Sequence, residues 1–335
     1  MRFQFNVDEV MKHLRSKILG QEAAMNAIEN MLKIIKADIS DQDKPLYIAM
    51  FLGPTGVGKT ETVKVLAEAI HGNRQAYCRV DMNTLSLDHY AAALTGSPPG
   101  YVGSKEGLTI LDKEKIEGMF SRPGIILFDE IEKASPQVIQ TLLNIFDNGM
   151  LTMASGEQRI DFRNTLIFMT GNIGAREIYQ FIDKKIEFLI KRVIRYINPS
   201  NWADGSGMLL AKSIIKREIE KYFSPEFLNR IQDVIVFNWL ETDTLNKLVD
   251  LIMERINGRL EKYNCQLQLE KSARTFLIEK GFDKHYGGRA LQRVIRQFIE
   301  APLSELLTEQ STDEGFINYL GKADQSRIVL TRIEQ

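Results

Sequence analysis

Three short runs of apolar residues stand out along the first half of the chain: Leu46–Leu52, Ile125–Phe128, and the stretch "NTLIFMTGN" that ends at Asn172. Each lacks the polar alternation of a half-exposed strand, so each reads as a strand buried on both faces. After the first run, Val63, Leu66, Ala67 and Ile70 recur at helical spacing. Strand candidates alternating with helical patterns predict a mainly parallel sheet with covering helices. "DNGMLTMASGEQRIDFRNT" predicts a hairpin just before the third run, with turn signals at Gly149 and at Ser155-Gly156. From Trp239 the pattern changes. "ETDTLNKLVDLIMERINGRLEKY" is a strong helical repeat with a start signal at Thr242 or Asp243. Helices are predicted over 271–280 and 289–307, and short strands over 316–320 and 327–331. The expected architecture is an α/β large domain over 1–238 and a small, mainly helical domain over 239–335 with a short C-terminal sheet. The large domain has prelude helices within 1–40 and an extended segment at about 175–222.

Two stretches do not fit a plain core. "GSPPGYVG", Gly96–Gly103, is too rich in proline and glycine for a helix interior or a central strand. It reads as a loop, yet it carries an apolar pair, Tyr101 and Val102. Such a pair is either tucked back onto the protein or held out to touch something. The segment 175–222 is basic and amphipathic: Lys184, Lys185, Lys191, Arg192 and Arg195 interleave with Ile186, Phe188, Leu189, Val193 and Ile194. It is either a helix packed on the large domain with a solvated basic edge or a partner-docking helix.

Composition narrows the class. Hydrophobic residues make up 44% and charged residues 26% of 335 positions, the balance of a globular protein with a full core. No apolar run approaches the ~18 residues of a membrane span, and the first residues lack the apolar core of a signal peptide. A net charge of −1 provides no global field for nucleic acid. The two cysteines, Cys78 and Cys265, share no metal-ligand spacing, which with the absence of a leader suggests a reducing, cytoplasmic setting.

The first apolar run leads into Gly53-Pro54-Thr55-Gly56-Val57-Gly58-Lys59-Thr60, a full match to G-x-x-x-x-G-K-[ST] in strand–loop–helix context. Glycines let the backbone curl so that its N–H groups face an anion, and the following helix adds its positive end. Pro54, Thr55, Gly56, Val57, Gly58, Lys59, Thr60 and Glu61 are the candidate nucleotide-binding run. Lys59 is expected on the β- and γ-phosphates of ATP and Thr60 on Mg²⁺. The second run ends in Asp129-Glu130, where a parallel sheet presents ligands. Asp129 is the candidate Mg²⁺ carboxylate and Glu130 the candidate base for water. The plainer alternative is an acidic helix start. Asn172 is a candidate to orient that water, or a turn residue, the commonest use of Asn.

With these motifs in place the chain resembles the AAA+ superfamily, specifically the Clp-type unfoldases, and most closely the second ATPase domain of ClpA and ClpB. The resemblance rests on "ILGQEAA", "FLGPTGVGKTE", "GSPPGYVGSKEG", "IILFDEIEKASPQV", "DFRNTLIFMTGNIG", "FSPEFLNRIQDVIVF" and "YGGRALQRVIRQFIEAPL". It implies that Ile18 and Leu19 flank the adenine. It implies that Arg230 is an arginine finger reaching the neighbouring subunit's γ-phosphate, and that Arg289 is a lid arginine sensing its own. From the residues alone, Arg230 could instead pair with Glu226 or Asp233, and Arg289 could merely start a helix. The resemblance also makes Tyr101 and Val102 a pore loop gripping an extended polypeptide. The implied protein is a ring, expected as a homohexamer in one tier, that hydrolyses ATP and threads unfolded or tagged proteins. The 175–222 segment is longer than its counterpart and is a candidate adaptor-docking site. Neither Ile-Gly-Leu nor Ile-Gly-Phe, the docking tripeptides for a ClpP-type peptidase, is present. The rival readings are an AAA+ nucleic-acid motor or loader, disfavoured by the charge and the aromatic loop, and a nucleotide-gated scaffold, disfavoured by Asp129, Glu130 and Arg230.

Overall fold

A computed structural model of the chain describes residues 2–86, 94, 110–153, 158–173, 218–240, 242–281, 287–309 and 316–333. Tyr101, Val102, the Ser155-Gly156 turn and most of the 175–222 segment lie outside the described residues. The chain forms two compact units. The first holds Met1–Ser16, Glu22–Gly53 and Lys59–Phe237; the second holds Lys17–Gln21, Pro54–Gly58 and Asn238–Gln335. The sequence reading kept 1–238 as one block. The contacts instead group Ile18, Leu19 and the centre of the phosphate loop with the later residues.

In chain order the described elements of the first unit begin with helices α1 (Val7–Lys17) and α2 (Glu22–Ala37). α2 buries Ala24, Met25, Ile28, Met31, Leu32 and Ile35, the three- and four-residue spacing of a helix with one apolar face. Then come β1 (Tyr47–Leu52), α3 (Lys59–His71), β2 (Cys78–Asp81), α4 (Lys113–Glu117) and β3 (Gly124–Asp129). They are followed by α5 (Pro136–Asn148), β4 (Met150–Thr152), β5 (Arg159–Asp161), β6 (Thr165–Gly171), α6 (Pro225–Leu228) and β7 (Asp233–Val236). α5 is capped at both ends: the Ser135 hydroxyl accepts from the Val138 N–H, and Gly149 closes it in the left-handed conformation. β4 and β5 pair antiparallel as the expected hairpin.

The main sheet is ordered β2-β3-β6-β1-β7, with every pairing parallel. β1, β3 and β6 are buried along their whole length, which explains their unbroken apolar runs. β2 and β7 occupy the edges and are only partly buried, with Arg79 and Val234 exposed. Phe51 meets the rings of Phe168 and Phe237 at 5.2 and 5.1 Å, tying β1 to its neighbours. Because β6 lies between β1 and β3, the carboxyl ends of the three strands open along one edge of the sheet. That edge is where parallel sheets bind ligands.

The second unit contains α7 (Thr242–Leu260), β8 (Cys265–Leu269), α8 (Lys271–Gly281), α9 (Gly287–Ile295), α10 (Ala301–Glu309), β9 (Ile317–Asp324) and β10 (Arg327–Ile333). Its own core includes Leu245, Val249, Ile256, Leu277, Leu291, Ile295 and Ile299. Two details differ from the sequence reading. The helix anticipated over 289–307 contains a π-helical turn, Arg296–Glu300, where the Ala301 N–H reaches back to the Arg296 carbonyl. Pro302 follows at once; it has no N–H to continue the ordinary ladder. The small sheet also gains β8, which runs parallel to β9. β8 hides behind the long helical pattern, which ends when Asn264 turns left-handed at φ 51°. Among the described residues no helix is long and apolar enough to cross a membrane.

Candidate functional site

In the first unit the site is built on strand ends. β1 hands the chain to Gly53, whose φ of +142° is open to glycine alone. A Cβ there would lie 2.5 Å from the Phe237 carbonyl oxygen. Six residues on, Lys59 opens α3 and is only 7% exposed. Its Nζ donates to the Gly53 carbonyl at 2.5 Å and to the Asn172 Oδ1 at 3.0 Å. The Asn172 side chain therefore meets the phosphate-loop lysine, although 113 positions separate them. The Asn172 backbone N–H is held by the Glu132 carboxylate at 3.0 Å, which fixes the end of β6.

Asp129, at the end of β3, is 8% exposed. The Thr60 hydroxyl lies 3.4 Å from its Oδ1, and the Thr170 hydroxyl donates to the same oxygen. Its Oδ2 takes a two-pronged bond from Arg79 on β2, from Nη2 at 2.6 Å and Nε at 3.1 Å. The next residue, Glu130, stands in the left-handed region at φ 58°, ψ 52°, rare for a side chain of its kind. Its N–H donates to the Thr170 hydroxyl at 3.2 Å, and its Oε2 accepts from the Asn83 amide at 2.5 Å. A hydroxyl and a carboxylate this close form the hard oxygen pair that suits Mg²⁺. Glu130 stands at the N-cap of a single 3₁₀ turn, Ile131–Lys133, without a side-chain cap bond, so the plainer reading of an acidic helix start reduces to that short turn.

Arg79, Asn83, Glu132 and Thr170 were not read as site residues from the sequence. An arginine in a strand or a threonine in an apolar run has no motif; each acquires its role by pairing across strands. Glu61, in the first turn of α3, is engaged by Arg74, three residues past the end of that helix, at 2.8 Å.

Arg230 lies just after α6. Its partner is Asp147, at the end of α5, rather than Glu226 or Asp233. The Asp233 carboxylate instead receives the Tyr47 hydroxyl. The Asp147 carboxylate raises the Arg230 guanidinium above its ordinary pKa, with a smaller contribution from Glu226, so the group is a fixed, half-buried cation.

In the second unit, Ile18 is buried and Leu19 half-buried. Gly56 and Gly58 have φ of +76° and +110°, the curled backbone that turns N–H groups toward an anion. A Cβ on Gly58 would come within 3.9 Å of the Ile18 side chain. Gln21 is almost fully buried and bonds Asn238 twice: its Oε1 accepts from the backbone N–H at 2.8 Å and its Nε2 donates to the carbonyl at 2.9 Å. The same Nε2 lies 3.4 Å from the Val57 carbonyl. The Gly288 N–H, in the first turn of α9, donates to the Gly56 carbonyl at 3.0 Å. Arg289 follows, exposed, in that first turn.

A parallel sheet with a phosphate loop after β1, paired acids after β3 and an asparagine after the strand between them defines a nucleotide-hydrolysing P-loop protein. Residues 44–234 match the AAA domain (Cdc48 subfamily), and residues 240–317 match the C-terminal D2-small domain of ClpB. The chain belongs to the AAA ATPases, in their Clp-type branch, and ATP hydrolysis is its reaction. It is 48% identical over 333 residues to the ATP-dependent protease ATP-binding subunit-like protein AmiB of Pseudomonas aeruginosa, across 99% of this chain and 88% of that protein. It is 38% identical over 300 residues to an ATP-dependent protease ATP-binding subunit-like protein of Rhodococcus erythropolis, across 90% and 83%. Against the ATP-dependent Clp protease ATP-binding subunit ClpC of Staphylococcus epidermidis it is 36% identical over 302 residues, 90% of this chain but 35% of ClpC.

Proposed function

We propose that the protein is a ring-forming motor that spends ATP to pull on polypeptide, with Glu130 as its catalytic base. The observation that carries the chemical part is the convergence of Lys59, Asn172, Thr60, Asp129 and Glu130 at the ends of three adjacent strands. In this reading Lys59 binds the β- and γ-phosphates, and the amides of Pro54–Gly58 cradle the chain of phosphates. Ile18 and Leu19 flank the adenine, and Arg289 senses the γ-phosphate. Thr60 and Asp129 hold Mg²⁺, which when bound neutralises phosphate charge. Asn172 orients the water, and the Glu130 carboxylate removes its proton as the oxygen attacks phosphorus. Asn83 holds that carboxylate through Oε2 at 2.5 Å, and swinging it toward the water requires releasing this bond.

Arg230 faces outward in this reading and completes a neighbour's site, which requires a ring of copies; we infer a homohexamer. The 36% identity to a ClpC subunit and the "GYVG" loop support polypeptide as the cargo. Tyr101 would grip it through the ring face, which accepts varied side chains. In this reading the 175–222 segment offers an adaptor surface, and the protein works in the cytoplasm. The test is ATPase stimulation. Unfolded protein should raise turnover of the wild type and DNA should not. Tyr101→Ala should keep the basal rate and lose the stimulation, while Tyr101→Phe keeps both. Stimulation by DNA alone, or full stimulation of Tyr101→Ala, overturns the threading mechanism.

A further inference from the structure

The hydroxyl of Thr170 joins the two acids of the site. Thr170 lies on β6 and is 2% exposed. The ladder pairs β3 with β6 as far as Phe128↔Met169, so Asp129, Glu130 and Thr170 lie just past the last pair. There the hydroxyl takes over from the backbone. Its single hydrogen goes to the Asp129 Oδ1, and its oxygen accepts the Glu130 N–H at 3.2 Å. With one hydrogen to give, the direction is fixed: it donates to the carboxylate, so only its lone pairs remain for the amide. Two bonds in line polarise one another in a dry setting. The side chain is β-branched and stiff about its first torsion, so both bonds are set by the strand itself.

The residue held this way is the one that needs holding. Glu130 sits in a backbone region that non-glycine residues rarely occupy, and such conformations persist where neighbours over-determine them. The amide of Glu130 is fixed by Thr170, while its carboxylate is fixed by Asn83.

We propose that Thr170 is a positioning residue for hydrolysis, orienting the Asp129 oxygen that faces Thr60 and the backbone of Glu130 through one hydroxyl. The proposal rests on the roles given above to Asp129 and Glu130. Thr170→Val keeps the shape and removes both bonds; Thr170→Ser keeps the hydroxyl. Steady-state ATPase is measured across Mg²⁺ concentrations, with ATP binding measured separately by fluorescent-nucleotide titration. Thr170→Val should lose about tenfold or more in kcat, in keeping with small misplacements of catalytic groups, and need several-fold more Mg²⁺ for half-saturation. Nucleotide affinity should stay within about threefold, and Thr170→Ser should restore both kinetic measures. A Thr170→Val that only melts earlier, with kcat and Mg²⁺ response unchanged, overturns the proposal. Should the valine variant not fold, Thr170→Cys, a weak hydrogen bonder, is compared with Thr170→Ser; equal Mg²⁺ half-saturation in the two overturns it as well. Asp129→Asn and Glu130→Gln run alongside. If they hydrolyse normally, the reading of the site itself is wrong; if they fail while Thr170→Val is silent, only Thr170 is misassigned.

Discussion

Replacing Gly53 with alanine tests whether the phosphate loop is held where β1 delivers it. Two costs arise at this position. The φ of +142° is unfavourable for any residue with a Cβ, and left-handed backbone costs roughly 1–2 kcal/mol. The new Cβ would also sit 2.5 Å from the Phe237 carbonyl oxygen and 3.2 Å from the Phe237 Cβ. Phe237 has little room to retreat: its N–H is bonded to the Leu52 carbonyl at 2.7 Å and its ring lies 5.1 Å from that of Phe51. Relieving such overpacking costs roughly another 1–3 kcal/mol. Gly72 is the matched control. Its φ is +74°, and a Cβ there meets nothing within 4 Å, so Gly72→Ala carries the backbone cost alone. The excess for Gly53→Ala is therefore about 1–3 kcal/mol, or roughly 2–12 °C in the first melting transition at about 2–4 °C per kcal/mol. Gly53→Ala should also weaken ATP binding, because the Gly53 carbonyl is an acceptor for the Lys59 Nζ, whereas Gly72→Ala should bind normally. The measurements are thermal melts and nucleotide titrations of both variants. A Gly53→Ala protein that melts no earlier than Gly72→Ala and binds ATP as tightly as the wild type refutes the reasoning.

Further outcomes follow from single groups. Lys59→Ala should lose about 100-fold or more in ATP affinity, the worth of charge-assisted bonds to two phosphates, whereas Glu130→Gln should bind ATP and fail to hydrolyse it; titration plus phosphate release separates the two. Arg230→Ala should bind ATP yet turn over poorly, by ~10³-fold if the finger acts on a neighbour, and mixing it with Lys59→Ala subunits should restore some turnover. An unchanged rate in Arg230→Ala excludes the finger. Burial lowers the pKa of His71, outweighing the Pro123 carbonyl that raises it, with Arg122 lowering it further. The unfolded chain then binds a proton that the folded chain refuses, so stability should fall as pH drops through about 6.5 and level off below the folded value. Chemical denaturation at several pH values should show a smaller fall in His71→Gln, and an equal fall would assign the effect to other groups.

The local motifs of this protein are legible in the sequence because their causes lie within a few residues. The strand, the glycine curl and the helix that opens at Lys59 follow one another along the chain. The apolar runs of β1, β3 and β6 are unbroken because both faces of those strands are covered. Longer-range relations were not legible. Chain order does not state that β6 lies between β1 and β3, yet that arrangement brings Asn172 to Lys59 and the Thr170 hydroxyl to Asp129 and Glu130. Nothing in the sequence marks Arg79; its guanidinium reaches Asp129 because β2 pairs with β3. Arg230 had two acids close in sequence and pairs with neither; Asp147, 83 positions away, is the one that α5 delivers. Periodicity records which face of an element avoids water, a property each residue carries with it. A hydrogen-bond partner depends on which strand or helix packs alongside, and that was decided only when the whole core closed.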